Sequence, residues 1–203
     1  TLFRSRLTPD VLINRLTSDY AERTALKGDR IDGGATRGAN LFHSFQEFNV
    51  LDGQGVYFAN PAGIENILSR VTGANRSDIL GRLGVLGNAN LFLINPNGIV
   101  FGPNARLDVV GSFVASTAHG FNFPDGSSFS ATNPEVPSLL TVDVPIGLQL
   151  GTNPGSIQVQ GSGHQIVADN PNPTFAKHER PATVLGVQVS SGNTLALVGG
   201  DII

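Results

Sequence analysis

A chain of 203 residues is long enough to form a single domain with a sizeable buried core. Its formal net charge of −3 gives no reason to expect a nucleic acid or an anionic membrane surface as a partner. The 40% of hydrophobic residues exclude a long disordered chain, while 25 Gly, 12 Pro and only 14% charged residues favour short strands joined by tight turns over helices.

The first 39 residues give the weakest structural signal. Thr8 precedes Pro9 and Asp10, an order that fits the start of a short helix with Pro9 at its first position. Glycines between residues 33 and 38 indicate turns. The chain starts with Thr1 instead of Met, so we expect that a leader preceded it, although the sequence itself contains no signal peptide.

Two stretches in the first half show a periodic pattern. Phe42, Phe45 and Phe48 recur every three residues, which fits a helix face and a strand equally well. Between residues 79 and 93, in contrast, every second position is apolar or small. This period of two predicts extended strand through that segment.

The most informative stretch lies between residues 90 and 117. An apolar run at 91–94 leads into a turn whose composition fits type I: Asn95 accepts a backbone hydrogen bond, Pro96 fixes φ, and Gly98 closes the turn. No room is left for a helix in this stretch. Further strands are predicted at 99–101, 106–110 and 112–115.

This turn motif has an earlier copy. Asn60-Pro61-Ala62-Gly63-Ile64 matches Asn95-Pro96-Asn97-Gly98-Ile99 in pattern, at a separation of 35 residues. A repeated strand–turn unit predicts a stacked β architecture, in which each coil buries its apolar face against the next. Hairpins within a β-sandwich would also explain two copies.

Residues 121–145 are predicted to leave this stack. Phe123-Pro124-Asp125-Gly126 fits another type I turn, and the prolines at 133–137 are incompatible with a central strand. We expect the segment to pack back through three apolar side chains, Leu139, Leu140 and Val142.

The last third returns to short strands, at 155–167 and 184–198, around a polar and proline-rich segment at 169–181 that is predicted to be an inserted surface loop. The chain ends inside an apolar, strand-like run. We therefore expect it to be a fragment of a longer protein.

Several of these motifs carry a family resemblance. Residues 40–50 read Asn-Leu-Phe-His-Ser-Phe-Gln-Glu-Phe-Asn-Val, and Val100-Phe101-Gly102 follows the second turn motif. Together with both turn motifs, they resemble the N-terminal secretion domain of filamentous-haemagglutinin-like exoproteins, and most closely the cyanobacterial branch of these two-partner secretion proteins. The resemblance spans roughly residues 31–157 and resumes near Leu185.

The resemblance implies a fold and a partner. The fold is all-β, a right-handed parallel β-helix (solenoid) over residues 40–203, with an N-terminal β cap over 1–39 and β excursions outside the helix. The partner is a TpsB-type outer-membrane barrel transporter, which recognises the domain through its periplasmic POTRA domains. The protein would then be secreted or displayed on the cell surface, through the periplasm of a Gram-negative-type bacterium.

The residue patterns of catalysis and cofactor binding are absent from the sequence. The four histidines, His43, His119, His164 and His178, lack the spacing of metal ligands, and the chain has no Cys. A nucleophile elbow is missing, and Gly53-Gln54-Gly55 lacks the third glycine of a phosphate-binding turn. We therefore predict no enzyme activity, cofactor, metal or small-molecule substrate.

Two other functions of a β-helix stay open as alternatives. A polysaccharide lyase or hydrolase needs clustered carboxylates, whereas the acids here stand singly near turns, and Arg106 with Asp108 is interpreted as a surface ion pair. A carbohydrate-binding adhesin needs exposed aromatic platforms, and the sequence has only Tyr20 and Tyr57, with no Trp.

The main prediction is a non-enzymatic, monomeric module that targets an exoprotein to its transporter and nucleates β-helix folding outside the cell. The turn motifs have two interpretations that are compatible: they shape turns, and they form the site that the transporter recognises. The candidate recognition residues are Asn60, Pro61, Gly63, Ile64, Asn95, Pro96, Asn97, Gly98 and Ile99.

Overall fold

The computed structural model describes residues 7–9, 24–27, 29–134, 141, 143–161 and 186–203. Over these ranges the chain is all-β, with short strands and no helix. The strands are β1 (Leu7–Pro9), β2 (Thr24–Lys27), β3 (Arg30–Gly33), β4 (Ala35–Arg37), β5 (Asn40–Phe48), β6 (Gly55–Ala59), β7 (Asn66–Val71), β8 (Ser77–Ile79), β9 (Arg82–Leu86), β10 (Asn90–Ile94), β11 (Ile99–Phe101), β12 (Arg106–Asp108), β13 (Phe113–Ser116), β14 (Gly120–Asn122), β15 (Ser128–Ser130), β16 (Gly147–Gln149), β17 (Ile157–Val159) and β18 (Leu195–Val198).

Three parallel ladders stack the chain into coils. Sheet 1 contains β5, β7, β10, β13 and β18, sheet 2 contains β3, β6, β9 and β12, and sheet 3 contains β8, β11 and β17. One circuit runs through β7, β8 and β9, and the next runs through β10, β11 and β12. The fold is a β-solenoid, so the predicted parallel β-helix is confirmed.

The coil repeat differs from the spacing of the two turn motifs. Asn40, Asn66 and Asn90 occupy matching positions on β5, β7 and β10, so successive coils here are 26 and 24 residues apart. Asn60 follows β6 of sheet 2, whereas Asn95 follows β10 of sheet 1. The motifs therefore lie at different corners, and their 35-residue separation is not a coil repeat. The prediction of stacking was right, but the repeat that suggested it was the wrong one.

Each coil points alternate side chains into a shared apolar core. Leu41, Ile67, Leu91 and Phe113 occupy equivalent positions on sheet 1, and each is at most 1% exposed. Every odd position between 79 and 93 except Gly87 is buried, as the period of two predicted. The segment bends at two corners, however, and forms β8, β9 and β10 instead of one strand. The alternation survives the corners because each coil must cover the core of its neighbour.

The N-terminal strand β1 shows that the helix predicted at Pro9 is wrong, and it explains the spacing of the phenylalanines in β5. β1 pairs antiparallel with β5, so Pro9 lies in a strand and does not begin a helix. A register shift between Thr8 and Pro9 accommodates a proline, which cannot donate to a ladder. That irregularity lies opposite residues 45–47 of β5. It explains why Phe45 and Phe48, which are three residues apart on one strand, both point into the same apolar core.

Sheet 4 lies outside the coils. It is antiparallel, with the order β15, β14, β16, and Gly126 donates to the Phe123 carbonyl at 3.0 Å to close the predicted turn between residues 123 and 126. The sheet packs on the outer face of sheet 1, where Phe42 and Phe129 meet edge to face with centroids 5.1 Å apart. Both faces of sheet 1 are thereby buried along β7, where every residue is buried. The predicted contacts of Leu139, Leu140 and Val142, and the loop at 169–181, lie outside the described residues.

Candidate functional site

The Asn95 motif forms the turn that its sequence predicted. The Gly98 N–H donates to the Asn95 carbonyl at 3.1 Å, and the Asn97 N–H donates to Asn95 Oδ1 at 3.0 Å. Asn95 is fully buried, and its Nδ2 donates to the Asn75 carbonyl and to Ser77 Oγ, both at 3.0 Å. One side chain thus closes its own turn and ties it to the preceding coil.

The Asn60 motif forms a different turn from its later copy. The Ile64 N–H donates to the Pro61 carbonyl at 3.2 Å, so the turn begins one residue later, and Gly63 has a φ of 82° that favours glycine. Asn60 Nδ2 donates to the Ile64 carbonyl at 2.9 Å, and Oδ1 accepts the Ala89 N–H of the next coil at 3.1 Å. Asn60 therefore joins two coils, as Asn95 does.

The candidate recognition residues divide into an exposed and a buried set. Pro61, Gly63 and Asn97 are exposed, and Asn60 and Pro96 are half-buried. The buried set consists of Ile64, Asn95, Gly98 and Ile99. The two motifs lie at different corners of the solenoid, one after a strand of sheet 2 and the other after a strand of sheet 1.

A ladder of asparagines was missed at the sequence level. Asn66 Nδ2 donates to Asn40 Oδ1 at 3.1 Å, and Asn90 Nδ2 donates to Asn66 Oδ1 at 3.0 Å. At one end Asn40 Nδ2 donates to the Asp143 carbonyl at 2.6 Å, and at the other Asn90 Oδ1 accepts the Ser112 N–H at 2.9 Å. Each asparagine starts a strand of sheet 1.

A sequence signal for this ladder exists. Asn40, Asn66 and Asn90 each precede two apolar residues, at separations of 26 and 24 residues. A search for asparagine followed by two apolar residues finds these three and also Asn49, so the signal contains the coil repeat without isolating it. The more conspicuous asparagine–proline pairs drew attention to the wrong spacing.

His43 lies inside the first coil, among aromatic rings. Its ring centroid is 5.2 Å from that of Phe58 and 6.3 Å from that of Phe45. Desolvation by burial lowers the pKa of His43 to about 3, and the negative charge of Asp32 opposes this only in part. His43 is therefore neutral at physiological pH and serves as a packed core residue.

Arg70 is a buried polar residue that joins sheets 1 and 4. Arg70 Nε donates to Ser44 Oγ at 3.0 Å and Nη1 to the Ser130 carbonyl at 2.6 Å, while Cζ lies 4.5 Å above the Phe129 ring. No local pattern in the sequence indicated that this arginine would be buried.

The described part of the chain contains no cluster of three or more His, Cys, Asp or Glu side chains placed to hold a metal ion. Nor does any helix within it have the length and apolarity needed to cross a bilayer.

Comparison with known proteins identifies the family. The family model of the TPS secretion domain matches residues 16–203, which is most of the chain. The chain also shares 32% identity over 72 residues with the heme/hemopexin-binding protein of Haemophilus influenzae (strain ATCC 51907 / DSM 11121 / KW20 / Rd). That match covers 36% of this chain and 8% of the relative.

The chain belongs to the TPS secretion domain family. The family supports a secretion-targeting role in a two-partner system, and it implies a TpsB transporter as the partner. Members of the family are exported and are secreted or displayed on the cell surface. This is a family of secretion and adhesin-type proteins and not a family of enzymes.

Proposed function

We propose that the POTRA domains of the transporter bind the chain around Asn60 and Asn95 while it is still extended. The observation that carries this proposal is the burial of Ile64, Asn95, Gly98 and Ile99 in the folded solenoid. Side chains that the fold hides are open to a partner only before folding. An extended segment can add a strand to the edge of a partner sheet, with main-chain hydrogen bonds supplying affinity.

Folding outside the cell then competes with this contact. Asn95, free to bind in the extended chain, becomes committed to Asn75 and Ser77 once the coils stack. Each new coil also removes apolar surface from water, at ~25 cal/mol per Å². Folding therefore withdraws the recognition segments from the transporter and favours outward movement without ATP.

The asparagine ladder fits a role in nucleation. Asn40, Asn66 and Asn90 align three coils through side-chain hydrogen bonds, before later coils have strands to pair with. A slip of one residue would turn apolar side chains away from the core and break the ladder. The first coils thus supply a template in the correct register.

The binding step is tested with isolated POTRA domains and an unfolded form of the chain. Phe113→Asp places a charge in the core at a position well beyond both motifs in the chain, and prevents folding. We expect the F113D chain to bind the POTRA domains more tightly than the folded chain does. Asn95→Ala with Pro96→Ala in the F113D background should weaken binding tenfold or more. The matched control is Asn75→Ala with Arg76→Ala in the same background.

Two results would refute the proposal: tighter binding by the folded chain, or equal weakening by the control pair. Targeting itself is tested separately, by export of a reporter fused to residues 1–203 in cells with and without the partner barrel. Export should require the barrel. Equal export in both strains would reject the targeting role of this segment.

A further inference from the structure

An open cleft of about 610 Å³ lies on the outer face of sheet 2. The segment Gly53-Gln54-Gly55 lines it, as do side chains from β6, β9 and β12. Its volume lies within the range of small-molecule binding sites, ~300–1,000 Å³. None of the candidate recognition residues lines it.

Tyr57 lies flat across the bottom of this cleft. Tyr57 of β6, Gly84 of β9 and Asp108 of β12 occupy matching positions on three neighbouring strands. The Tyr57 hydroxyl reaches Asp108 Oδ2 at 3.2 Å, so the ring must cross the strand between them. A Cβ on Gly84 would lie 2.5 Å from Tyr57 Cε1. The glycine therefore makes room for the ring, which presents an aromatic platform.

Two arginines flank the platform. Arg82 of β9 and Arg106 of β12 are in register, and both line the cleft. Neither has a carboxylate of the described residues within ion-pair distance, although the hydrogen bond with Tyr57 and, to a smaller extent, the charge of Asp108 raise the pKa of Arg82. The expected pair of Arg106 with Asp108 is thus wrong: Asp108 instead accepts from Tyr57.

The same arginine-x-aspartate spacing behaves differently elsewhere in the solenoid. Arg30 bonds Asp32 at 2.8 Å, and Arg76 bonds Asp78 at 2.9 Å. The tyrosine bridge to Asp108 is the feature that distinguishes the third case. Its consequence is a pair of cations on adjacent strands, ~4.8 Å apart along the sheet, where like charges destabilise the pairing.

A bound anion would relieve this repulsion, because a guanidinium presents a planar fork of donors that matches a carboxylate. The cleft also offers the amides of Gln54 and Asn104 and the carboxylates of Asp29 and Asp52. These groups accept hydrogen bonds from sugar hydroxyls, which a polyacidic peptide lacks. A flat ring, paired cations and hydroxyl acceptors together suit a sugar that carries a carboxylate.

We propose that this cleft is a binding site for acidic oligosaccharides of the uronic acid class, with Arg82 and Arg106 on the carboxylates and Tyr57 under a sugar ring. The site belongs to the folded domain. It is therefore distinct from transporter recognition by the extended chain, and the two proposals can fail independently.

The test is calorimetric titration of the folded chain with trigalacturonate, with maltotriose as the neutral sugar and hexaglutamate as the acidic peptide. Arg82→Gln and Arg106→Gln should each weaken trigalacturonate binding tenfold or more. Tyr57→Ala should do the same, and Tyr57→Phe, which keeps the ring, should have a smaller effect. Arg76→Gln is the matched control, because Arg76 is exposed and bound to Asp78 outside the cleft, and it should leave affinity unchanged.

Circular dichroism of each variant establishes that it is folded before titration. Binding of trigalacturonate that weakens with added salt, together with no binding of maltotriose, would support the site. Three results would overturn it: no binding of trigalacturonate, equal affinity for hexaglutamate, or affinity unchanged in both R82Q and R106Q.

Discussion

Asn66 Nδ2 lies 3.1 Å from Oδ1 of Asn40, a residue 26 positions earlier in the chain and at the same position one coil away. Asn40 is fully buried and Asn66 is 4% exposed. A side-chain amide both donates and accepts hydrogen bonds. In a stack of asparagines, each amide can therefore donate to the neighbour on one side and accept from the neighbour on the other. The ladder therefore specifies register at an edge of sheet 1 where apolar side chains would only specify burial.

Replacing the central member of the ladder should be costly. Asn66→Ala leaves Asn40 Oδ1 without its donor and Asn90 Nδ2 without its acceptor. An unsatisfied buried group costs ~1–3 kcal/mol, and the half-buried Asn90 loses less than Asn40 because water can reach it. We therefore expect a loss of about 2–4 kcal/mol in the free energy of unfolding, measured by urea denaturation.

The control for this prediction is Asn104→Ala, which removes an exposed hydrogen bond to Asp52. It should cost less than about 1 kcal/mol. An equal loss in the two variants would show that the ladder contributes no more than a surface contact.

His43 should make the domain sensitive to mild acid. Its pKa is about 3 in the folded state, against an ordinary value of 6.5, because burial disfavours the charged form. The unfolded chain takes up a proton below pH 6.5 and the folded chain does not. Stability is therefore complete above pH 6.5 and falls by ~1.4 kcal/mol per pH unit below it, or about 2 kcal/mol between pH 6.5 and 5.

Urea denaturation at several pH values between 5 and 7 measures this slope. In His43→Leu the titrating group is gone, so the slope in that window should largely disappear, whatever the change in stability at pH 7. If His43→Leu keeps the full slope, the acid sensitivity comes from other groups and the prediction is wrong.

The two turn asparagines next to Pro96 should differ in importance. Asn95 is buried, and its side chain makes four hydrogen bonds: with the Asn75 carbonyl, with Ser77 Oγ, and with both the N–H and the Nδ2 of Asn97. Asn95→Ala should therefore lower the free energy of unfolding by about 2–4 kcal/mol. Asn97 is exposed, and its Nδ2 donates to the Gly73 carbonyl at 2.7 Å. Asn97→Ala should cost about 1 kcal/mol or less, and a reversed order would contradict the burial argument.

Sheet 4 should depend on Phe129. Its ring is fully buried, meets Phe42 edge to face, and lies beneath the guanidinium of Arg70. Phe129→Ala should cost ~3–5 kcal/mol, through lost apolar contact and a cavity. Phe92→Ala is the matched control, since Phe92 is half-buried at the same interface and should cost clearly less. Comparable losses would mean that Phe129 is not the main contact.

Some elements could be predicted because their signals are local. The turn at Asn95 is defined within four consecutive residues, and the alternation at 79–93 follows from the strand period of two. The three-residue spacing of Phe45 and Phe48 left helix and strand equally open, because an irregularity in the pairing with β1 changes which face of the strand a residue occupies. That irregularity depends on another strand, and so no local pattern contained it.

The sequence by itself determined the β class, the turn residues and, through the resemblance, the solenoid. Which residues meet across coils was decided only by the tertiary structure. Asn40, Asn66 and Asn90 form a ladder, and Tyr57 crosses Gly84 to reach Asp108, because coil lengths of unequal size bring these positions into register. Stacking register is a property of the whole chain, since each coil is positioned by the core it buries against the one before.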